Sequence, residues 1–250
     1  AYVEDGTGRD GLVRSDNRGA TWSPTNFPAN IAMGGNSDWR WCGERLRVDP
    51  INSSYVYFGT RQNGLWRSTD GGMNWAEITS LPYGDNGGKT RNGLPVNAGI
   101  TFVAISPAGS SGSPARSSTV YAGIMNAGIW RSTDGGDTFE KISALTSGPD
   151  MATNIRSMPV QGTVAADGTL YVAYWDSGIF RFRAGTWAEV TPPLNKSWYS
   201  RIWVGVAVDP SNSDRIAVTA KGDTPKDILL STNGGASWTN YGPDAAYSHV

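Results

Sequence analysis

The sequence predicts an all-β protein built as a β-propeller, and three observations lead to that fold. A short motif, Ser-x-Asp/Asn-x-Gly-x-x-Trp/Phe, recurs along the chain. Its closing aromatic residues, at positions 22, 75, 139, 187 and 238, are 53, 64, 48 and 51 residues apart, the length of one four-stranded blade. Between the motifs, short β-rich runs alternate with Gly, Asp, Asn and Pro turns, which is typical of propeller strands.

The recurring motif is interpreted as an aspartate-box turn that closes each blade. Its Asp or Asn can accept hydrogen bonds from nearby backbone N–H groups, and its Gly gives the backbone the freedom that a tight turn needs. The aromatic residue is expected to pack the turn against its blade. We therefore interpret these carboxylates as structural rather than catalytic. The motifs begin at Ser15, Ser68, Ser132 and Ser231, and an eroded copy is Gly185-Thr186-Trp187.

The repeat count predicts a single propeller domain, or part of one, over residues 1–250. About five blades are expected, at roughly 1–28, 43–80, 100–144, 158–191 and 203–241. The first of these contains only three strands, and the chain begins at Ala1 without a methionine, so we expect a processed form or an excised piece. Two arrangements are open. Residues 246–250 supply the missing inner strand and close a five-bladed ring, or the chain is part of a seven-bladed propeller.

Composition and charge exclude several functions. The 21 basic and 22 acidic residues give a net charge of -1, so we expect neither a nucleic-acid nor a membrane partner. The lone Cys42 leaves no internal disulfide and no cysteine-cluster metal site, and the lone His249 nearly excludes histidine chemistry. We expect no metal and no cofactor, so any chemistry must come from carboxylates, tyrosines or bound water.

Propeller geometry predicts where a ligand would bind. When the strands of a blade are lettered A to D from the axis outward, the D–A and B–C loops share one face. The aspartate-box turns are C–D turns, so they lie on the opposite face. Flat aromatic rings in the D–A and B–C loops would suit stacking against sugars. Five tryptophans fall in or beside these loops, namely Trp39, Trp41, Trp175, Trp198 and Trp203.

Some of these rings could instead plug loops against the axis, and Trp203 is expected in the core because it begins an A strand. Polar residues in the same loops complete the predicted substrate-binding set. That set is Trp39, Arg40, Trp41, Arg61, Asn63, Asn126, Trp175, Trp198 and Tyr199. Further polar residues of these loops are Asp38, Gln62, Lys196 and Arg201.

Asp176 is the candidate catalytic residue. It lies in Trp175-Asp176-Ser177, a short B–C loop between two firm strands, and a rigid carboxylate beside a tryptophan suits a general base or an acceptor for a sugar hydroxyl. Asp150 and Asp223 are weaker candidates in longer loops. Glu44 begins an A strand, where it could pair with Arg45 or Arg47, or face the cleft.

Residues 42–50, 57–60 and 64–70 together resemble the xyloglucanases of glycoside hydrolase family 74, and the likeness continues more weakly through 128–139 and 231–238. The resemblance implies two seven-bladed propellers that face each other across a cleft and cleave xyloglucan with inversion, using one aspartate from each. This sequence resembles the second to sixth blades of the N-terminal propeller only, so the resemblance places neither catalytic aspartate here. Asp70 and Asp134 share the spelling of the family's Thr-Asp-x-Gly-Gly motif but lie in C–D turns on the wrong face.

The expected function is therefore a secreted, glycoside hydrolase-like propeller that acts on or binds xyloglucan or another β-1,4-glucan polysaccharide. It would be a fragment of an inverting endo-glucanase, with a polysaccharide or oligosaccharide as ligand and a second propeller domain as a possible partner. The alternative is a non-catalytic propeller that binds glycan or protein. A sialidase is less favoured. It would need an arginine trio, for which Arg40, Arg61 and Arg201 are available, but no sialidase start motif precedes the first box.

Overall fold

The computed structural model describes residues 2–3, 11–29, 31, 43–60, 63–81, 99–125, 127–142, 159–175, 177–193, 202–221 and 228–241. In this part of the chain the regular secondary structure is β-strand. The strands form four four-stranded antiparallel sheets, one three-stranded sheet and one two-stranded hairpin. The predicted all-β propeller is confirmed. The described segments contain no helix that is long and apolar enough to cross a membrane.

Each sheet is a meander in chain order. The first sheet consists of β1 (Tyr2–Val3), β2 (Gly11–Arg14) and β3 (Ser23–Pro24). The second consists of β4 (Leu46–Val48), β5 (Val56–Gly59), β6 (Leu65–Ser68) and β7 (Ala76–Glu77). The third consists of β8 (Ile100–Ile105), β11 (Val120–Ile124), β12 (Gly128–Ser132) and β13 (Glu140–Lys141).

The last two sheets follow the same plan. The fourth consists of β14 (Pro159–Val164), β15 (Leu170–Tyr174), β16 (Gly178–Arg183) and β17 (Thr186–Glu189). The fifth consists of β18 (Ile202–Asp209), β19 (Asn212–Lys221), β20 (Ile228–Ser231) and β21 (Thr239–Asn240). A hairpin of β9 (Ser110–Ser111) and β10 (Arg116–Ser117) is inserted between β8 and β11, and the repeat pattern did not predict it.

Successive sheets pack face to face, because side chains alternate between the two faces of a strand. In β6, Leu65 packs against the third sheet, whereas its neighbour Trp66 packs towards the first. The same alternation recurs in β12, where Ile129 faces the fourth sheet and Trp130 the second. The second, third and fourth sheets therefore each have one face for the preceding sheet and one for the following sheet.

Four apolar clusters fill the spaces between the five sheets. Leu12, Phe27 and Phe58 belong to the cluster of the first and second sheets, and Phe27 makes edge contacts with the rings of Trp66 and Trp75. The other three clusters join the second to the third, the third to the fourth, and the fourth to the fifth sheet. Since complete burial of one large aliphatic or aromatic side chain contributes about 1.5–3 kcal/mol, these faces hold the sheets together.

The innermost strands β4, β8, β14 and β18 converge on a common axis. The backbone N–H of Gly43, just before β4, donates to Val160 O at 2.7 Å, which joins the second sheet to the fourth. A Cβ on Gly43 would lie 2.8 Å from that same oxygen, so the residue must be small. On the other side of β14, Gln161 Oε1 accepts from Val206 N at 3.3 Å.

Near this axis the ring of Phe102 is clamped between two glycines. Gly123 lies beside the ring in the same sheet, and Gly162 approaches it from the next sheet. A Cβ at either position would overlap the ring atoms, and Phe102 is fully buried. The absence of a side chain at Gly162 therefore sets how closely the third and fourth sheets approach.

The glycine clamp generates a stability prediction. Gly162→Ala should lower the free energy of unfolding by about 1–3 kcal/mol, because the added methyl group overpacks a buried ring that has no room to move. Gly11→Ala is the matched control, since a Cβ there meets nothing within 4 Å. Urea unfolding of the two variants measures the difference. Equal midpoints for both variants would show that the clamp is not tight.

Candidate functional site

The two ends of the sheets carry different structures. The turns at 69–75, 133–139 and 232–238 lie at one end, together with the loops that join the first two strands of the second to fifth sheets. We call this end the turn face. The second strands of the second, third and fourth sheets end at the opposite end, which we call the loop face. The described residues there include Thr60, Asn63, Met125, Ala127, Trp175 and Ser177.

On the turn face, each Ser-x-Asp-x-Gly turn is closed by its own side chains. Asp70 Oδ1 accepts from the backbone N–H of Met73 at 3.1 Å and of Asn74 at 2.9 Å. Ser68 Oγ donates to the same carboxylate and accepts from Gly72 N. The turn needs left-handed backbone at Gly72, where φ is 92°. Asp134, Asn17 and Asn233 accept backbone N–H groups in the same way, which confirms the predicted hydrogen bonding.

These bonds determine the protonation of the two turn carboxylates. The N–H of Asn74, its side-chain amide and the Ser68 hydroxyl lower the pKa of Asp70 to about 2. For Asp134, burial alone would raise the pKa, but the hydroxyl and N–H of Thr138 outweigh it and lower the pKa to about 2. A carboxyl group that is ionised so readily is a poor proton donor at neutral pH, which agrees with a structural role.

Arginines join the turns of neighbouring sheets on this face. Arg67 Nη1 donates to Gly135 O at 2.8 Å and to Asp137 Oδ1 at 2.7 Å. Arg116, from the inserted hairpin, reaches the other oxygen of Asp137 at 2.7 Å. Arg181 donates to Gly234 O at 2.9 Å in the same manner between the fourth and fifth sheets. The described polar groups of these turns are thus largely used in contacts within the protein.

The turn face nevertheless contains a groove of about 450 Å³ between the first and second sheets. Leu12, Val48, Gly72 and Trp75 are among the residues that line it. Trp22, expected to pack its turn against the sheet, is instead 52% exposed and also lines the groove. Sequence reasoning missed this groove, because the motif predicted that Trp22 would pack on the sheet.

On the loop face, Trp175 is only 6% exposed. Its ring packs in a small cluster with Met125, Val160 and Val204, which brings together the third, fourth and fifth sheets. Its carbonyl oxygen accepts from Trp203 N at 3.1 Å. Trp203 is 1% exposed, so the prediction that it belongs to the core is confirmed. Trp175, the residue before Asp176, is therefore held by apolar packing and by a backbone hydrogen bond.

Two other predicted residues have structural contacts at this end. The N–H of Asn63 donates to Thr60 Oγ1 at 2.9 Å, and its carbonyl oxygen accepts from Trp66 Nε1 at 2.9 Å. Glu44 forms an ion pair with Arg47 three residues later, which is one of the alternatives open from the sequence. Arg45 is buried instead, with its guanidinium 5.9 Å from the centre of the Phe58 ring.

The remaining predicted site residues lie outside the described residues, and their roles stay predictions. They are Trp39, Arg40, Trp41, Arg61, Asn126, Asp176, Trp198 and Tyr199, together with Asp38, Gln62, Asp150, Lys196, Arg201 and Asp223. Among the residues that the structure describes, no group of three or more His, Cys, Asp or Glu side chains could hold a metal ion.

These sheets and turns define a β-propeller segment, and comparison with known proteins relates it to one family. No family model matches the chain. A xyloglucanase of Acetivibrio thermocellus is 35% identical over 254 residues, which cover 92% of this chain and 28% of the relative. A xyloglucanase of Hypocrea jecorina is 31% identical over 260 residues, which cover 94% of this chain and 29% of the relative.

Solved structures give the same relationship. The glycoside hydrolase family 74 enzyme of Niastella koreensis is 32% identical with a TM-score of 0.69, over 94% of this chain and 34% of that one. The family 74 xyloglucanase of Xanthomonas campestris is 27% identical with a TM-score of 0.74, over 96% and 35%. The Dos1 propeller, at 12% identity and a TM-score of 0.53, shares the fold alone. The resemblance to family 74 xyloglucanases is thus confirmed over nearly the whole chain, which spans 28–35% of the length of these relatives.

The turn bonds generate a prediction for stability and its pH dependence. Asp70→Ala and Asp134→Ala should each lower the free energy of unfolding by about 1–2 kcal/mol, because backbone donors lose their acceptor. Because the folded pKa is below the ordinary value of 3.8, this stabilisation is present above pH 4 and is lost as the pH falls towards 2. Thermal melts between pH 2 and 7 measure both effects.

The same variants should keep any affinity for glycan, since both turns lie on the turn face. Asp16→Ala is a suitable control, because its exposed carboxylate contacts only Arg14 among the described residues. Unchanged melting temperatures combined with lost glycan binding would assign the turns a functional role.

Proposed function

We propose that the chain is the polysaccharide-binding part of a xyloglucanase-type glycoside hydrolase that acts on β-1,4-glucan. The observation that carries this proposal is 35% identity to a xyloglucanase over 92% of the chain. The relatives are longer, so the activity is proposed for the protein as a whole and not for these 250 residues alone. A secreted location follows from the same proposal, because polysaccharides of this size are found outside the cell.

The glycan is proposed to bind across the loop face. On the turn face, backbone groups, carboxylates and arginines are engaged with each other. The loop face lies at the other end of the sheets. The sequence predicts that Trp39, Trp41 and Trp198 lie in its loops. Rings held there would stack on sugar faces. The buried Trp175 supports the site from below, since its ring anchors the loop that carries Asp176.

Within this proposal Asp176 acts as a general base or holds a sugar hydroxyl. Inverting hydrolysis needs two carboxyl groups about 6.5–9.5 Å apart on opposite sides of the glycosidic bond. A second propeller would supply the opposing acid and would also close the site against water. Without that acid, a factor of about 10²–10⁴ from proton donation to the leaving oxygen would be lost.

Binding tests the choice of face. Titration of a xyloglucan oligosaccharide by calorimetry should show that Trp39→Ala, Trp41→Ala or Trp198→Ala weakens binding by about fivefold or more, because a stacked ring contributes on the order of 1 kcal/mol. Trp22→Ala is the matched control, since that ring is exposed on the turn face. Loss of binding in the control alone, with the other three variants unchanged, would move the site to the turn face.

Hydrolysis tests the need for a second domain. The 250-residue chain should release few or no reducing ends from xyloglucan between pH 4 and 8, because the opposing acid is absent. Asp176→Asn serves as the comparison. Robust turnover with a bell-shaped pH profile that disappears in Asp176→Asn would contradict this expectation. No turnover together with no glycan binding would instead favour the non-catalytic alternative, a propeller that binds protein.

A further inference from the structure

At the loop face of two sheets, a tryptophan holds the backbone just before the third strand. In the second sheet, Trp66 Nε1 donates to Asn63 O at 2.9 Å. In the third sheet, Trp130 Nε1 donates to Ala127 O at 3.2 Å. Each indole thus reaches back three residues and fixes a carbonyl group at the loop face of its own sheet.

The fourth sheet has no tryptophan at this position. Phe180 takes the register position that the two tryptophans take in the second and third sheets. A phenyl ring has no N–H group, so it cannot fix a carbonyl group in the same way. The segment concerned runs from Trp175 to Gly178 and contains Asp176, the candidate catalytic residue.

A threonine at the outer edge of the fourth sheet holds this segment instead. Thr191, just after β17, accepts a hydrogen bond from the backbone N–H of Ile179 at 3.1 Å. Its hydroxyl group donates to Glu189 Oε1 at 2.8 Å, which leaves the lone pairs of the same oxygen for Ile179. Next to this bond, Val190 N donates to Ile179 O at 2.8 Å. The first residues of β16 are therefore tied to the end of β17 by two bonds.

The backbone conformation of Gly178 matches this contact. Its φ is 120°, compared with 72° at Gly64 and 81° at Gly128, the glycines at the start of the third strand in the second and third sheets. A Cβ at Gly178 would overlap Thr191 Oγ1, so only glycine allows the threonine to lie this close. The backbone that leads into the third strand therefore differs from that of the two sheets held by tryptophan.

The other end of the segment is fixed as well. Trp175 O accepts from Trp203 N at 3.1 Å, and Ile179 N is bound to Thr191. Between these two fixed points the chain has only the residues 176–178. Since a short segment tied at both ends has few conformations, loss of either bond would give it more.

We propose that Thr191 is a positioning residue of the loop-face glycan site and that it acts through Asp176. This inference rests on the proposed function, in which Asp176 acts as a general base or holds a sugar hydroxyl. A carboxylate that spends a smaller fraction of time in its binding position weakens the apparent affinity by the same fraction. The Thr191 hydroxyl thus contributes to glycan affinity without contact to the glycan.

Calorimetry with a xyloglucan oligosaccharide tests this role. Thr191→Val keeps the shape of the side chain but removes the oxygen, and it should raise Kd by about 3–10-fold. Thr191→Ser keeps the oxygen and should stay within about twofold of the unchanged chain. The matched control is Thr169→Val, which removes the acceptor of Arg183 Nε from the same sheet at the turn face. With all variants shown to be folded by melting curves, an unchanged Kd in Thr191→Val, or an equal rise in Thr169→Val, would overturn the proposal.

A double-mutant cycle shows whether Thr191 acts through Asp176. Asp176→Ala should weaken binding by itself, and adding Thr191→Val to that variant should then raise Kd by less than about twofold. If the second change still weakens binding as much as it does in the unchanged chain, Thr191 acts on another group. That result, or an Asp176→Ala variant that binds as tightly as the unchanged chain, would contradict the proposal.

Hydrogen exchange distinguishes failure of this inference from failure of the proposed function. In Thr191→Val the Ile179 amide should exchange at least about tenfold faster, whereas in Thr169→Val its rate should not change. If the unchanged chain binds no xyloglucan oligosaccharide, the proposed function is wrong, and the role of Thr191 in binding is wrong with it. If the chain binds but the Ile179 amide exchanges no faster in Thr191→Val, the proposed function stands and only this inference is wrong.

Discussion

The structure depends on one constraint, which is that the second, third and fourth sheets each bury both of their faces against neighbouring sheets. Alternate residues of the same strand, such as Leu65 and Trp66, therefore belong to different apolar clusters. This arrangement leaves little freedom in the angle between sheets, and glycines at Gly43 and Gly162 adjust the distance near the axis. The strands are held in place by the apolar clusters. The ends of these strands, from which the loops leave, are therefore fixed as well.

The two ends of the sheets differ in how their described polar groups are used. At the turn face, side chains satisfy the backbone of their own turn, and arginines reach the turn of the next sheet. Polar groups used in this way are not available to a ligand. Among the residues that the structure describes at the loop face, Trp175 and Trp203 close the core just beneath it. Under the proposed function, sequence variation in the outer loops would change glycan binding without disturbing the turns.

The repeats were readable from the sequence because they arise from local chemistry. A Ser, an Asp or Asn and a Gly at fixed spacing make the same turn in each repeat. The strands are predicted from the β-rich runs on either side of that turn. The burial of Trp175 was not readable, because it depends on Met125 and Val204 from other sheets. The β9–β10 hairpin lies within a loop of the third sheet and has no counterpart in the repeat. The groove beside Trp22 was missed because the motif alone predicted a packed ring, whereas Trp22 is 52% exposed.

The reuse of one contact scheme by successive sheets has an evolutionary consequence. A sheet copied by duplication would keep the face that packs on the preceding sheet and the face that packs on the following sheet. It would therefore fit between two existing sheets. Its C-strand arginine would find a turn carbonyl to bind, as Arg67 and Arg181 do. Proteins assembled on this plan can therefore gain or lose length in units of one sheet, with the number of blades changing while the rules of packing stay the same.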